Sequence, residues 1–175
     1  MEFNLIVIHE PGLDNYSWAR NQVRQVLGFD AILVDAYQSV LLYKYRGDPH
    51  EGAARLRDAL RGSGTPIIKA IPVDAVTDPL IDKVVEAVKE LAPRIPEGAK
   101  FRITLEGHLY DIGERGLRRL HWYDAVKEIA EYIDRPVDLE NPDYVLYIKV
   151  VRWRRVTRKA ALTVARPEEV SRITT

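Results

Sequence analysis

The order in which helical and extended patterns alternate between Met1 and Asp74 constrains the fold more than any single motif does. Asn4 to Ile8 is a short run of leucine and β-branched residues, and Pro11-Gly12 ends it, so a strand is followed by a turn. Asp14 or Asn15 can cap a helix from Ser17 to Leu27, where Trp18, Val23, Val26 and Leu27 recur at helical spacing and Gly28 supplies the stop. Phe29 to Ala36 and Ser39 to Tyr45 are two β-rich runs joined by the short Tyr37-Gln38 link, which predicts a hairpin. A second helix spans Pro49 to Leu60 with the stripe Ala53, Leu56 and Leu60; the Gly62-Ser63-Gly64 cluster then ends it ahead of a strand from Pro66 to Val73.

A β-α-β-β-α-β order predicts a four-stranded sheet with two helices on one face, the ferredoxin-like arrangement, over residues 1–74. A new segment opens at Val76-Thr77-Asp78-Pro79, with the threonine or aspartate as cap and Pro79 at the first helical position. Leu80, Ile81, Val84, Val85, Val88 and Leu91 then form one apolar stripe, the mark of an amphipathic helix. Pro93 and Pro96 stop it, and the alternating FRITL run up to Leu105 is a strand. Gly107 to Gly116 reads as irregular, followed by a helix from Trp122 to Ile133 with Ala125, Val126, Ile129 and Ala130 on one face. Tyr144 to Trp153 and Val156 to Ala165 are the last strands, connected at Arg154-Arg155, and the tail from Arg166 has little to pack. The fold class expected is α+β, with a boundary near Asp74 and a second α/β domain over residues 75–175.

Composition narrows the function classes. The sequence has no cysteine, which removes disulfides, thiolate metal sites and cysteine nucleophiles and points to the cytoplasm. The apolar run near the N-terminus has no basic region before it and no small-residue cleavage site after it, and no apolar stretch approaches the roughly 20 residues needed to span a bilayer. The sequence contains none of the GxxxxGK[ST], GxGxxG, GxSxG or HExxH signatures, so no catalytic residue and no cofactor are expected. His108, His121, Asp111 and Glu114 fit no metal-ligand spacing, and Asp138, Glu140 and Asp143 surround the turn-forming Asn141-Pro142.

Charge is balanced overall, with 26 basic and 26 acidic residues, but it is not evenly spread. From Val145 to Thr175 eight lysines and arginines face only Glu168 and Glu169. Arg152, Arg154, Arg155, Arg158 and Lys159 crowd the expected last hairpin around Trp153, and like charges opposed in a sheet are unfavourable. Guanidinium groups take phosphates in a bidentate way and an indole can stack an unpaired base, so this cluster suits an RNA surface. Strand alternation would put Arg152 and Arg154 on one side and Trp153 on the other, with Arg158 and Lys159 on opposite faces of the partner strand. Arg118 and Arg119, together with Arg115, lie ahead of the last helix, where a phosphate could also be held.

The second domain resembles a THUMP domain. Helix, FRITL strand, helix, and then Val137-Asp138-Leu139-Glu140-Asn141-Pro142-Asp143 leading into the strand Tyr144 to Val150 match the pattern in which a VDLxNPD turn introduces a core strand. The likeness covers Val76 to Val164, and the preceding module is similar to the N-terminal companion of many THUMP proteins. The resemblance implies tRNA binding. It also implies an adaptor that supports a separate RNA-modifying enzyme, an acetyltransferase acting on cytidine, because the chain resembles the branch that carries no catalytic domain. Where many members have a basic cluster after the first THUMP strand, this chain has Glu106-Gly107-His108-Leu109, and Arg102 and Arg118-Arg119 are the residues expected to replace it. The rival expectation is a ferredoxin-like sensor or oligomerisation module whose Arg/Trp hairpin is a subunit interface.

Overall fold

The computed structural model describes residues 1–173. Two compact units emerge among them: Met1–Val73 together with the segment from Glu168, and Asp74–Pro167.

In the first unit β1 (Leu5–His9), α1 (Leu13–Leu27), β2 (Ala31–Tyr37), β3 (Val40–Tyr45), α2 (Pro49–Leu60) and β4 (Ile67–Pro72) follow the expected order. The strands lie in the order β2-β3-β1-β4 with every pairing antiparallel, which is the ferredoxin-like topology. Register sets Leu5 opposite Tyr43 and Val7 opposite Leu41 and Ala70, so these side chains share one face. That face buries against Ala19, Val23 and Leu27 of α1 and Ala53, Leu56 and Leu60 of α2. Asp48 caps α2 by accepting from the His50 amide at 2.9 Å, and Pro49 occupies the first turn, where its missing N–H costs nothing. α1 starts earlier than expected, at Leu13 after Gly12, and Asn15 caps nothing: it donates to the Pro11 carbonyl at 2.8 Å.

The expectation that the tail from Arg166 has little to pack is corrected. Val170 and Ile173 are buried, Ile173 N–H donates to the Ile68 carbonyl at 2.7 Å, and Arg172 pairs with Glu10 at 2.9 Å. The second unit accordingly ends at Pro167, short of the expected 75–175 span.

In the second unit β5 (Ala75–Thr77), α3 (Ile81–Leu91), β6 (Phe101–Glu106), β7 (Tyr110–Gly113), β8 (Gly116–Arg119), α4 (Trp122–Ala130), β9 (Tyr144–Trp153) and β10 (Thr157–Ala165) follow in turn. The main sheet has the order β5-β10-β9-β6, antiparallel except for the parallel β6–β9 pair. Its helix-facing side carries Ile103, Leu105, Leu146, Ile148, Leu162 and Val164, packed against Val84, Val85 and Val88 of α3 and Ala125 and Ile129 of α4. Each such aliphatic side chain contributes roughly 1.5–3 kcal/mol relative to an exposed position, so the apolar stripe read from sequence is what docks α3. None of the helices among the described residues is long and apolar enough to cross a membrane.

Two local expectations give way. Val76 and Thr77 are not a helix cap: they pair with Ala161 and Ala160 as β5, while the Asp78 carboxylate is held by Lys159 at 2.9 Å, so α3 begins at Ile81 without a side-chain cap. The stretch expected to be irregular contains the β7–β8 hairpin, closed at Gly113 opposite Gly116.

Candidate nucleic-acid interface

Parallel pairing of β6 with β9 puts the carboxyl ends of both strands at one end of the sheet, and the β9–β10 turn lies there too. The β7–β8 hairpin leaves from the carboxyl end of β6 and leads into α4, so the first turn of α4 is at this end as well. α3 follows β5, and the Leu80–Tyr110 bridge brings its start beside the small hairpin. Two helix N-termini, each with a partial positive charge, therefore converge with the basic segments 115–119 and 152–159.

At the tip of the last hairpin Arg152 stands directly opposite Arg158, on the face that continues Ile148 and Val150 beyond the helix-covered core. Arg154 and Arg155 form the connection with φ of 51° and 74°, in the left-handed region that costs L-residues roughly 1–2 kcal/mol each. A turn that holds two side-chain-bearing residues there fixes the backbone from which both arginines project. Arg155 and Arg158 are exposed and make no ion pair among the described residues. Lys159, by contrast, is half-buried and engaged with Asp78.

Trp153 is the principal correction. It is 8% exposed, and the Arg154 guanidinium lies over its ring at 5.0 Å, so the indole is a covered packing residue and offers no face to a base. Arg154 thereby sits on the Trp153 side of the hairpin, because the left-handed turn breaks the strand alternation that would have paired it with Arg152.

Arg118 and Arg119 belong to β8 and not to the entrance of the last helix. Arg118 pairs with Asp111 across the hairpin at 3.3 Å, whereas Arg119, opposite Tyr110, is exposed without an ionic partner among the described residues, as is Arg115. Arg102 does not replace a phosphate-binding cluster either. Its guanidinium donates to the Leu139 carbonyl at 2.9 Å and its Nε is buried, so it anchors the turn before β9. In that turn Asp138 accepts from the amides of Glu140 and Asn141 at 3.0 and 2.9 Å, and these bonds hold its carboxyl below the usual carboxylate range. His121 caps α4 by accepting from the Tyr123 amide at 3.3 Å. Among the described residues no group of three or more histidines and carboxylates is placed to hold a metal.

Of the residues singled out in the sequence, the fold gathers Arg118, Arg119, Arg152, Arg154, Arg155, Arg158 and Lys159 at one end of the second unit and leaves Arg102 and Trp153 in structural roles. Sequence patterning misses the exposed Ile112–Leu117 pair on β7 and β8, each 66% exposed beside Arg119, because these strands bury too little to impose an alternation.

No family model and no curated protein matches the chain. Solved structures do match it. PH1313 from Pyrococcus horikoshii aligns with a TM-score of 0.64 at 15% identity, over 93% of this chain and 55% of that one. A 4-thiouridine synthetase in complex with RNA and bound ATP aligns at 0.55 and 14% identity, over 94% and 42%. TrmN from Thermus thermophilus aligns at 0.55 and 19% identity, over 91% and 44%. The chain spans about half the length of these proteins. At such identities the likeness shows the fold alone, and that fold, α+β and of THUMP type, is what this chain shares with them.

Proposed function

We propose that the chain binds tRNA through the basic end of its second unit and presents it to a separate RNA-modifying enzyme, with cytidine acetylation as the reaction served. The carrying observation is the convergence of Arg119, Arg155 and Arg158, exposed and free of ion pairs among the described residues, with two helix N-termini at one end of the sheet. Phosphate is the ligand such a surface suits, since it needs several donors and gains from release of condensed counterions. A fold shared with a 4-thiouridine synthetase captured with RNA supports RNA as the source of that phosphate. No residue of the chain is assigned a chemical step; in this reading the partner enzyme supplies the reaction.

Titration of unfractionated tRNA at several salt concentrations tests the proposal. Affinity should fall with salt at about 0.7–0.9 units of log-log slope per phosphate contacted. Sequencing of RNA retained on the native protein should return tRNA, and addition of the chain should raise the yield of acetylated cytidine from a tRNA acetyltransferase. A protein that retains no RNA and binds tRNA with no salt dependence would refute it.

A further inference from the structure

The first unit holds a cleft that the basic end of the second does not explain. It lies between α1 and the edge strand β2, has a volume of about 600 Å³, and is lined by Ser17, Arg20, Asn21, Arg24, Phe29 and Tyr43, with aliphatic side chains between them. Helical spacing stacks Ser17, Arg20, Asn21 and Arg24 along one face of α1. The volume falls within the range of small-molecule sites.

Three features of the lining select the ligand. No carboxylate is among the lining residues, and neither Arg20 nor Arg24 makes an ion pair among the described residues. Each guanidinium is instead parked over an aromatic ring, Arg20 at 5.6 Å from Tyr16 and Arg24 at 4.8 Å from Phe29. Two like charges one helical turn apart repel, and the ring contacts leave both guanidiniums without an anionic partner among the described residues.

Tyr43, on β3 opposite Leu33, is only 4% exposed, yet its hydroxyl makes no hydrogen bond among the described residues and the side chain lines the cleft. The hydroxyl opens on the cleft, so it is a donor available to a ligand acceptor there. Burial pushes the hydroxyl up to about 12, against the opposing pull of Arg20 and Arg24, so it is a proton donor at neutral pH. Every charged group in the cleft is thus cationic, and the Tyr43 hydroxyl adds a neutral donor beside them. Phe29, 81% exposed at the rim with Arg24 over one side of its ring, leaves the other side as a flat apolar surface beside these donors.

We propose that this cleft binds a phosphorylated nucleoside unit, with the phosphate held by Arg20, Arg24 and the Tyr43 hydroxyl and the base against Phe29. The unit comes either from RNA, a source that rests on the tRNA reading above, or from a free mononucleotide, a source that does not.

Both sources are tested on the full chain with AMP and with unfractionated tRNA, using the R20Q/R24Q double variant and Tyr43→Phe. AMP should bind the parent, weaken at least about tenfold in the double variant, and weaken severalfold in Tyr43→Phe, which keeps the packing and removes only the donor. If RNA is the source, the double variant should also flatten the salt dependence of tRNA binding by about one to two units. Loss of AMP binding with an unchanged tRNA slope assigns the cleft to a free nucleotide, and the reverse pattern assigns it to RNA. Folded variants with parental AMP and tRNA binding overturn the proposal. A parent that binds AMP at the cleft but no tRNA leaves the cleft standing while the tRNA reading fails.

Discussion

Arg152 facing Arg158 across the last hairpin gives stability and binding opposite signs, and Arg158→Thr exposes that opposition. Cross-strand like charges cost roughly 0.2–1 kcal/mol, less where solvent screens them, and threonine suits a strand, so the variant should be more stable than the parent. For a chain of this size 1 kcal/mol corresponds to about 2–4 °C in Tm, which sets the expected rise at no more than about 4 °C. Binding should move the other way. Loss of one phosphate contact should make the log-log salt slope shallower by about 0.7–0.9, which near 0.15 M salt amounts to an affinity loss of about fivefold from counterion release alone. Thermal unfolding followed by circular dichroism and fluorescence titration with tRNA at several salt concentrations measure the two effects on one preparation. A variant that is less stable, or that binds tRNA with the parental slope, would refute the reasoning that repulsion at this tip is retained for a polyanion.

Lys159→Gln, which removes a cation already engaged by Asp78, should change the salt slope less than Arg155→Gln, whose side chain has no ionic partner among the described residues; the same titration compares them. Trp153→Ala should cost about 3 kcal/mol or more in denaturant unfolding, because the indole is covered, while folded protein keeps its tRNA salt slope. Gly107→Ala should destabilise by more than about 1 kcal/mol, since φ is 103° there and an added Cβ would lie 2.7 Å from Val150 Cβ. Asp138 contributes stability that is present above the ordinary carboxylate pKa and is lost as pH falls through its lowered folded value. Asp138→Asn should therefore flatten the acid limb of a stability profile recorded below about pH 5.

Elements that bury a full face are the ones the sequence announces. The α3 stripe from Ile81 to Leu91 and the alternation of Phe101, Ile103 and Leu105 translate directly into buried positions. Elements fixed by pairing rather than burial are silent in the sequence: β5 is a three-residue strand with no fully buried side chain, and β7 and β8 present Ile112 and Leu117 to solvent. Composition locates the basic cluster but not its internal division. Whether an arginine is open or spent depends on long-range partners, such as Asp111 for Arg118 and the Leu139 carbonyl for Arg102, which no local pattern encodes. Trp153 stands among arginines, which suggests a base-stacking indole, but its burial depends on packing that the local pattern does not encode. The Tyr43 cleft draws on α1, β2 and β3 together and leaves no contiguous signature.

The return of residues 168–173 to the first unit imposes an order on synthesis. Ile173 belongs to the first unit's core, and its amide is bonded to Ile68, so that core stays incomplete until the last described residues have left the ribosome. The second unit, continuous from Asp74 to Pro167, has no such dependence. At about 5–20 residues per second the N-terminal module waits on the order of 10 s with its closing segment missing. The module made first is therefore completed only after the whole of the second unit has been synthesised.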